Sequence, residues 1–343
     1  MSYNFLQNKN ILITGGTGSL GRELVHEVLK HNPKVVRVFD VDETEQFEFR
    51  HELKEHEDTV RFLLGDVRDR ERLIRAAEDV DIIFHTAALK HVMACEYNPF
   101  EAVKTNILGI QNVIDAAIDN NVERIIFTSS DKAVNPSNTM GATKLLAERL
   151  MTAANYYKGK RKCTFSSVRF GNVMGSRGSV IPLFRQQIKS GGPVTVTDRG
   201  MTRFMMSMSQ AVELVFRSAE LAQGGEVFIF KMLTVNISDL AEVLIAELAP
   251  RYGHRPEDIK VEIIGTKPGE KMYEELMTED EATRSLERED MFIITPLIMD
   301  GLSKYDGSAY DATPIQSKDY VSKDVVPLTK DEIRAILKSD GII

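Results

Sequence analysis

Asn10-Ile11-Leu12-Ile13-Thr14-Gly15-Gly16-Thr17-Gly18-Ser19-Leu20-Gly21 decides the fold of this chain. A short, mostly apolar run from Asn10 to Thr14 ends in a turn that places Gly15, Gly18 and Gly21 three residues apart. Leu24, Val25, Val28 and Leu29 then repeat with helical period. A strand, glycine turn and helix in this order brings backbone N–H groups near a pyrophosphate and aims a helix N-terminus at it. Thr17, Ser19 and Leu20 share the turn and are candidate contacts with it. A glycine triplet alone also fits an ordinary tight turn, so the flanking sequence has to decide.

Outward from the loop, Val35 to Phe39 reads as a second strand. Asp40 closes it about 20 residues beyond the glycines, where an acid hydrogen-bonds an adenosine ribose. A carboxylate there repels a 2′-phosphate, and Val41, Asp42, Glu43 and Thr44 bring no Arg or Lys. NAD is therefore expected rather than NADP. Asp40 or Asp42 also suits a helix cap before Glu43. Val60 to Leu64 reads as a third strand, with Asp66 and Val67 after it as candidates for the adenine amino group and ring. Ile82 to His85 reads as a fourth, running into Ala87 and Ala88, small enough to lie against the cofactor, and then Lys90 and His91. A helix is expected from about Pro99 to Asn120. It carries Asn106, a candidate for ordering water or backbone beside the site. Arg124 to Thr128 reads as a fifth strand. The alternation predicts an α/β protein with a Rossmann-type doubly wound parallel sheet, with ligands at the carboxyl ends of its strands.

The fifth strand delivers Ser129, Ser130, Asp131 and Lys132 to that edge. Met140 to Tyr157 then reads as a helix, with Leu145, Leu146, Leu150 and Met151 inward and Lys144 in its first turn. The glycine pattern, the strand-end serines and this lysine resemble the extended short-chain dehydrogenase/reductases. Met140 departs from them, because it stands four residues before Lys144, where the family usually carries the Tyr of Tyr-x-x-x-Lys. A narrower resemblance rests on Ser130-Asp131-Lys132-Ala133-Val134-Asn135-Pro136, Met140-Gly141-Ala142-Thr143-Lys144, Arg169-Phe170-Gly171-Asn172 through Pro182, Met201-Thr202-Arg203-Phe204 and Pro268-Gly269-Glu270-Lys271. It is to the UDP-N-acetylglucosamine 4,6-dehydratases of surface-polysaccharide biosynthesis, and it extends to about Met277.

That resemblance implies bound NAD, a UDP-sugar substrate and a homo-oligomer. It makes Asp131 the acid at C6, Lys132 the base at C5, Ser130 a hydrogen-bond partner of O4, and Lys144 a nicotinamide-ribose contact. Lys132 must be neutral to act as a base, so burial or Lys144 is expected to depress its pKa. Met140 cannot take a proton, which leaves O4 to Asp131, Lys144 or a water relay, with Asp131 acting through Ser130 or water preferred. Lys90, His91, Asn172, Arg177, Ser179, Val180, Arg203 and Glu270 are the expected substrate contacts. The rival readings are a 4-epimerase on the same scaffold and a non-catalytic NAD-binding scaffold.

The chain has 343 residues, 43% of them hydrophobic, with 43 basic against 51 acidic side chains and a net charge of -8. This gives no basic field for nucleic acid. No apolar run approaches the ~20 residues that span a membrane. The N-terminus lacks a signal-peptide pattern, so a cytoplasmic protein is expected. Two cysteines, Cys95 and Cys163, make neither a disulfide framework nor a metal site by themselves. Residues 1–170 are expected to form the NAD-binding domain and 171–343 a mainly substrate-binding region, partly interleaved with it. Within the latter, a solvated helix is expected from the Lys271 loop to about Glu289. Ser303 to Asp324 should be an extended arm or loosely held tail, and Leu328 to Leu337 a final helix.

Overall fold

The computed structural model describes residues 3–266, 269–297, 307–315 and 319–343. Pro268 of the Pro268-Gly269-Glu270-Lys271 motif and parts of the tail lie outside the described residues.

Buried apolar strands alternate with one-sided helices through the first half. They are β1 (Asn10–Thr14), α1 (Ser19–Leu29), β2 (Val35–Asp40), α2 (Glu43–Glu52), β3 (Val60–Leu64), α3 (Arg70–Ala76) and β4 (Ile82–His85). Helix α1 buries Leu24, Val25 and Val28, while Asp42 and Asp69 cap α2 and α3 by accepting N–H bonds from Glu45 and Arg72. Then come α4 (Val92–Tyr97), α5 (Pro99–Ala102), a π-helical turn (Val103–Leu108), α6 (Gly109–Asp119), β5 (Arg124–Thr128), α7 (Thr139–Tyr157) and β6 (Thr164–Val168).

The second half contributes β7 (Asn172–Val173), α8 (Val180–Lys189), β8 (Val194–Val196), β9 (Thr202–Met206), α9 (Met208–Leu221), β10 (Val227–Phe230), β11 (Leu233–Asn236), α10 (Ile237–Leu248) and β12 (Val261–Ile263). Last come β13 (Glu275–Met277), α11 (Glu279–Ala282), β14 (Ser285–Glu287), β15 (Met291–Ile294), β16 (Thr313–Pro314), β17 (Tyr320–Val321) and α12 (Lys330–Ser339).

The main sheet has the order β16-β14-β15-β10-β6-β5-β4-β1-β2-β3. From β3 to β10 every pairing is parallel, and β15, β14 and β16 extend it antiparallel. The order reverses between β1 and β4, the switch point at which such sheets open a crevice. The two halves of the chain are interleaved: α9 packs on α1, and β10 joins the sheet of the first half. A separate core of Ile181, Phe184, Ile188, Leu240 and Leu244 holds α8 and α10 together beside the sheet.

Four expectations need correction. The helix expected over 99–120 is broken by the π-helical turn, which turns Asn106 inward and buries it. On α7, Leu146 is exposed. The inward stripe is Met140, Thr143, Lys144, Ala147, Glu148 and Met151, because buried Arg169 supplies a partner for the carboxylate in it. The expected helix from the Lys271 loop to Glu289 is instead β13, one turn of α11 and β14, since β17 and β15 offer edges to pair with. Its acids are not all solvated, as Glu274 and Glu281 are buried. The described part of the tail is also fixed: β16 and β17 pair into sheets, and Tyr310 is buried with its hydroxyl donating to Glu226 at 2.6 Å.

Candidate active site

The glycine turn is a cradle that side chains would fill. Gly15 has φ +67°, and a Cβ on it would lie 2.6 Å from Ala87 N; one on Gly21 would lie 2.2 Å from Gly15 O. Gly18 sits just before the N-terminus of α1. Asp40 turns back into this loop, its carboxylate accepting from Thr17 N at 3.1 Å and Val41 N at 2.8 Å. Asp66 does not cap a helix. It pairs with Arg68, whose bonds outweigh partial burial and hold the carboxyl below its ordinary range. Val67 is buried. Asn106 orders backbone: its side chain accepts from Leu89 N at 2.8 Å and donates to Leu89 O at 3.0 Å and Thr143 Oγ1 at 2.9 Å. That fixes the segment carrying Ala87, Ala88 and Lys90. A phosphate-sized cradle, bare backbone and an acid at the second strand end fit a dinucleotide.

Behind the cradle, Lys144 is buried and donates to Thr128 O at 2.8 Å, with its ammonium 4.6 Å from the Phe127 ring centroid. Burial pushes it down to about 8, with Glu148 pulling the other way. His85, which the sequence reading passed over as a strand end, is buried beside it. Desolvation, then the Lys144 charge, push its imidazole down to about 3. Met140 is buried with Cys95 and Ala102 in an apolar cluster.

A cleft of about 270 Å³ opens beside this edge, lined by Val92, Met93, Asp131, Lys132, Ser137, Asn138, Asn172, Arg203, Glu270 and Glu274 among others. Asp131 is buried and accepts from Ser130 Oγ at 2.5 Å and from Lys132 Nζ at 3.1 Å on each oxygen. Burial opposes its charge, but Lys132 and these bonds bring the carboxyl below its ordinary range. Lys132 keeps 32% of its side chain exposed toward the cleft, which softens the desolvation that opposes its charge. Asp131 and Glu274 then win, so its ammonium is favoured. The expected depression of Lys132 is thus overturned, and Lys144, bonded to Thr128 O, is not what governs it.

Glu274 was missed. It accepts from Lys132 at 3.2 Å and Asn172 Nδ2 at 3.0 Å, with Arg203 Nε 3.2 Å away, and its backbone N donates to Ser322 Oγ at 3.0 Å. Burial first, then the charge of Asp131, push its carboxyl up to about 7. The signal was there in the two-residue step: Glu274 stands just before β13, two residues from Leu276, and both are buried. Reading a helix placed Glu274 in solvent.

Of the expected substrate contacts, Asn172, Arg203 and Glu270 meet at the cleft. Arg203 also donates to Lys271 O at 2.8 Å and lies 3.8 Å from Glu270. Arg177 stands elsewhere. Its guanidinium reaches the glycine turn, donating to Thr17 O at 2.9 Å and Glu45 at 2.6 Å, while its backbone N donates to Ser19 Oγ at 3.0 Å. Lys90 donates to Arg177 O at 2.6 Å, and Gly178 lies against the His91 ring. Ser179 heads α8 just before Val180, and its buried hydroxyl has no hydrogen-bond partner among the described residues.

A dinucleotide cradle at a parallel-sheet switch point, with a carboxylate and an amine beyond β5 on the same sheet edge, is the arrangement of the extended short-chain dehydrogenase/reductase class. The chain belongs within it to the family described as "Polysaccharide biosynthesis protein", whose model matches residues 11–296. A Methanocaldococcus jannaschii protein named as an uncharacterized membrane protein is 56% identical over 98% of this chain and 97% of its own. A Campylobacter jejuni UDP-N-acetylglucosamine 4,6-dehydratase (inverting) is 43% identical over 84% of each chain. A Rickettsia bellii UDP-glucose 4-epimerase is 38% identical over 96% of this chain and 95% of its own. The crystal structure of Pen from Bacillus thuringiensis superimposes with a TM-score of 0.90 at 48% identity, covering 98% of both chains. No helix among the described residues is long and apolar enough to cross a membrane.

Proposed function

We propose that this protein is an NAD-dependent UDP-N-acetylglucosamine 4,6-dehydratase forming a UDP-4-keto-6-deoxy-hexosamine. The observation that carries the reading is Asp131 and Lys132 side by side in the wall of the cleft, after the carboxyl end of β5, on the sheet edge that also carries the glycine turn. A 4-epimerase has no use for an acid at C6 and a base at C5; a dehydratase needs both. NAD, when bound, supplies the transient oxidation at C4 and the reduction at C6. The chain's own groups handle the protons. Ser130, 2.5 Å from Asp131, passes the O4 proton to that carboxylate. Asp131 then protonates the C6 hydroxyl as water leaves, and Lys132 takes the C5 proton. Met140, packed in its apolar cluster, takes no part in proton transfer. Arg203 and Asn172, gathered on the same Glu274 carboxylate as Lys132, hold the sugar nucleotide.

The experiment is incubation with UDP-N-acetylglucosamine and mass analysis of the product. Loss of one water is expected; recovery of an isomer alone would favour the epimerase named among the relatives and overturn this reading. Asp131→Asn is expected to lower turnover by ~100-fold or more, the usual scale for a missing proton-transfer group. Unchanged chemistry in that variant would remove Asp131 from the mechanism.

A further inference from the structure

Lys132 Nζ is wedged between two carboxylates, 3.1 Å from both oxygens of Asp131 and 3.2 Å from Glu274 Oε1. Elimination needs this amine neutral, yet both neighbours favour the ammonium. We infer that Glu274 resolves the conflict by taking a proton from Lys132 along their 3.2 Å hydrogen bond when the base is needed and returning it afterwards. Glu274 is thus a positioning residue that acts through Lys132. The timing rests on the dehydratase reading; the pairing rests on the cleft itself.

The surroundings of Glu274 support the transfer. Asp131 and Lys132 face it from the loop after β5, Arg203 from β9, with Asn172 from β7 as a neutral donor. Glu270 stands beyond Arg203. Two cations and two carboxylates balance, and moving a proton from Lys132 to Glu274 keeps the net charge of this buried group unchanged. Asp131 is engaged by Ser130 on the O4 side and held below its ordinary range, which leaves Glu274, already bonded to Lys132, as the acceptor. Burial and the Asp131 charge make Glu274 the more basic of the two carboxylates.

The proton inventory closes over one turnover. The O4 proton reaches Asp131 through Ser130, and Lys132 gives one N–H proton to Glu274. The amine lone pair takes the C5 proton. The C5–H electron pair becomes the second bond of C5=C6, the C6–O bond breaks, and the departing hydroxyl takes the Asp131 proton and leaves as water. Lys132 later returns a proton to C5, and Glu274 returns its proton to Lys132. All three side chains end as they began.

Glu274 must start ionised, so kcat/KM should fall as pH drops through about 7. Glu274→Gln cannot accept the proton; near neutral pH, where Lys132 is still an ammonium, dehydration should fall by ~100-fold or more, this acidic limb should disappear, and the rate should recover as rising pH lets Lys132 lose its proton to solvent. Glu274→Asp keeps an acceptor and should recover part of the rate together with the limb. A second readout needs no sugar nucleotide. Pulse acetylation with acetic anhydride, followed by peptide mass spectrometry, reports the neutral fraction of Lys132. Removing one of its two anions in Glu274→Gln should let Lys132 acetylate at lower pH than in the wild type. A Gln variant with wild-type turnover and pH profile, or with Lys132 labelling unchanged, overturns the inference. If the wild type releases no water from UDP-N-acetylglucosamine, the dehydratase reading fails, while the labelling still decides the Lys132–Glu274 pairing.

Discussion

Single residues show how burial sets chemistry here. Lys144 is charged in the unfolded chain up to its ordinary value of 10.5, but burial lowers this to about 8 in the fold. Between those values the unfolded chain binds the extra proton, so stability should rise with pH across the window. Lys144→Met should flatten that rise by at most roughly 3 kcal/mol, read from denaturant midpoints of the two proteins between pH 8 and 11. Gly21 makes a second residue-scale case. A Cβ there would meet Gly15 O at 2.2 Å, so Gly21→Ala should distort the cradle. Retention of the nicotinamide dinucleotide is expected to weaken at least ~10-fold, equivalent to about 1.4 kcal/mol, measured as nucleotide released on denaturation. The glycines, Asp131 and Lys132 were legible because motif spacing places them at strand ends. Glu274 was not, because its contacts come from β7, β9 and the loop after β5, far away in sequence.

Elements are held together by buried charges, of which the sequence reading placed only Glu281 on a solvated helix face. Arg169, just past β6, is fully buried. It pairs with Glu148 of α7 at 2.7 and 3.0 Å and with Glu281 of α11 at 3.0 and 3.1 Å, and donates to Leu276 O at 2.8 Å. Glu281 also closes a capping box with Thr278, so one carboxylate both caps α11 and docks it. Arg169→Leu strands two buried carboxylates and should cost about 3–5 kcal/mol in denaturant unfolding. Arg169→Lys keeps the charge without the bidentate geometry and should fall between. This clamp fixes β13, and therefore the backbone leading to Glu274. No periodicity announces it, since an arginine and two glutamates from three elements look like ordinary solvated charges in a linear reading.

At the scale of the whole molecule, the second half of the chain completes both the sheet and the site. Tyr310 donates to Glu226 at 2.6 Å, and the same carboxylate accepts from Ser166 Oγ at 2.6 Å and from Gln223 N and Gly224 N. Tyr310→Phe removes a hydrogen bond to a buried carboxylate and should cost about 1.5–3 kcal/mol, detectable as a lower thermal midpoint and faster proteolysis within 307–343. Ser322, in the same tail, holds Glu274 N at 3.0 Å and meets Thr202 Oγ1 at 2.9 Å. Loosening the tail should therefore also reduce turnover, through Glu274.

The sequence by itself determined the parallel sheet, the dinucleotide cradle and the acid–amine pair, because each depends on local order: a strand, then a turn, then a helix, with chemistry at the strand ends. The tertiary structure alone decided the protonation of Lys132, the burial of Glu274, the placement of Arg177 on the glycine turn rather than in the cleft, and the role of the tail. Those depend on which distant charges share one low-dielectric space, and the energy of a buried charge is set by neighbours in space.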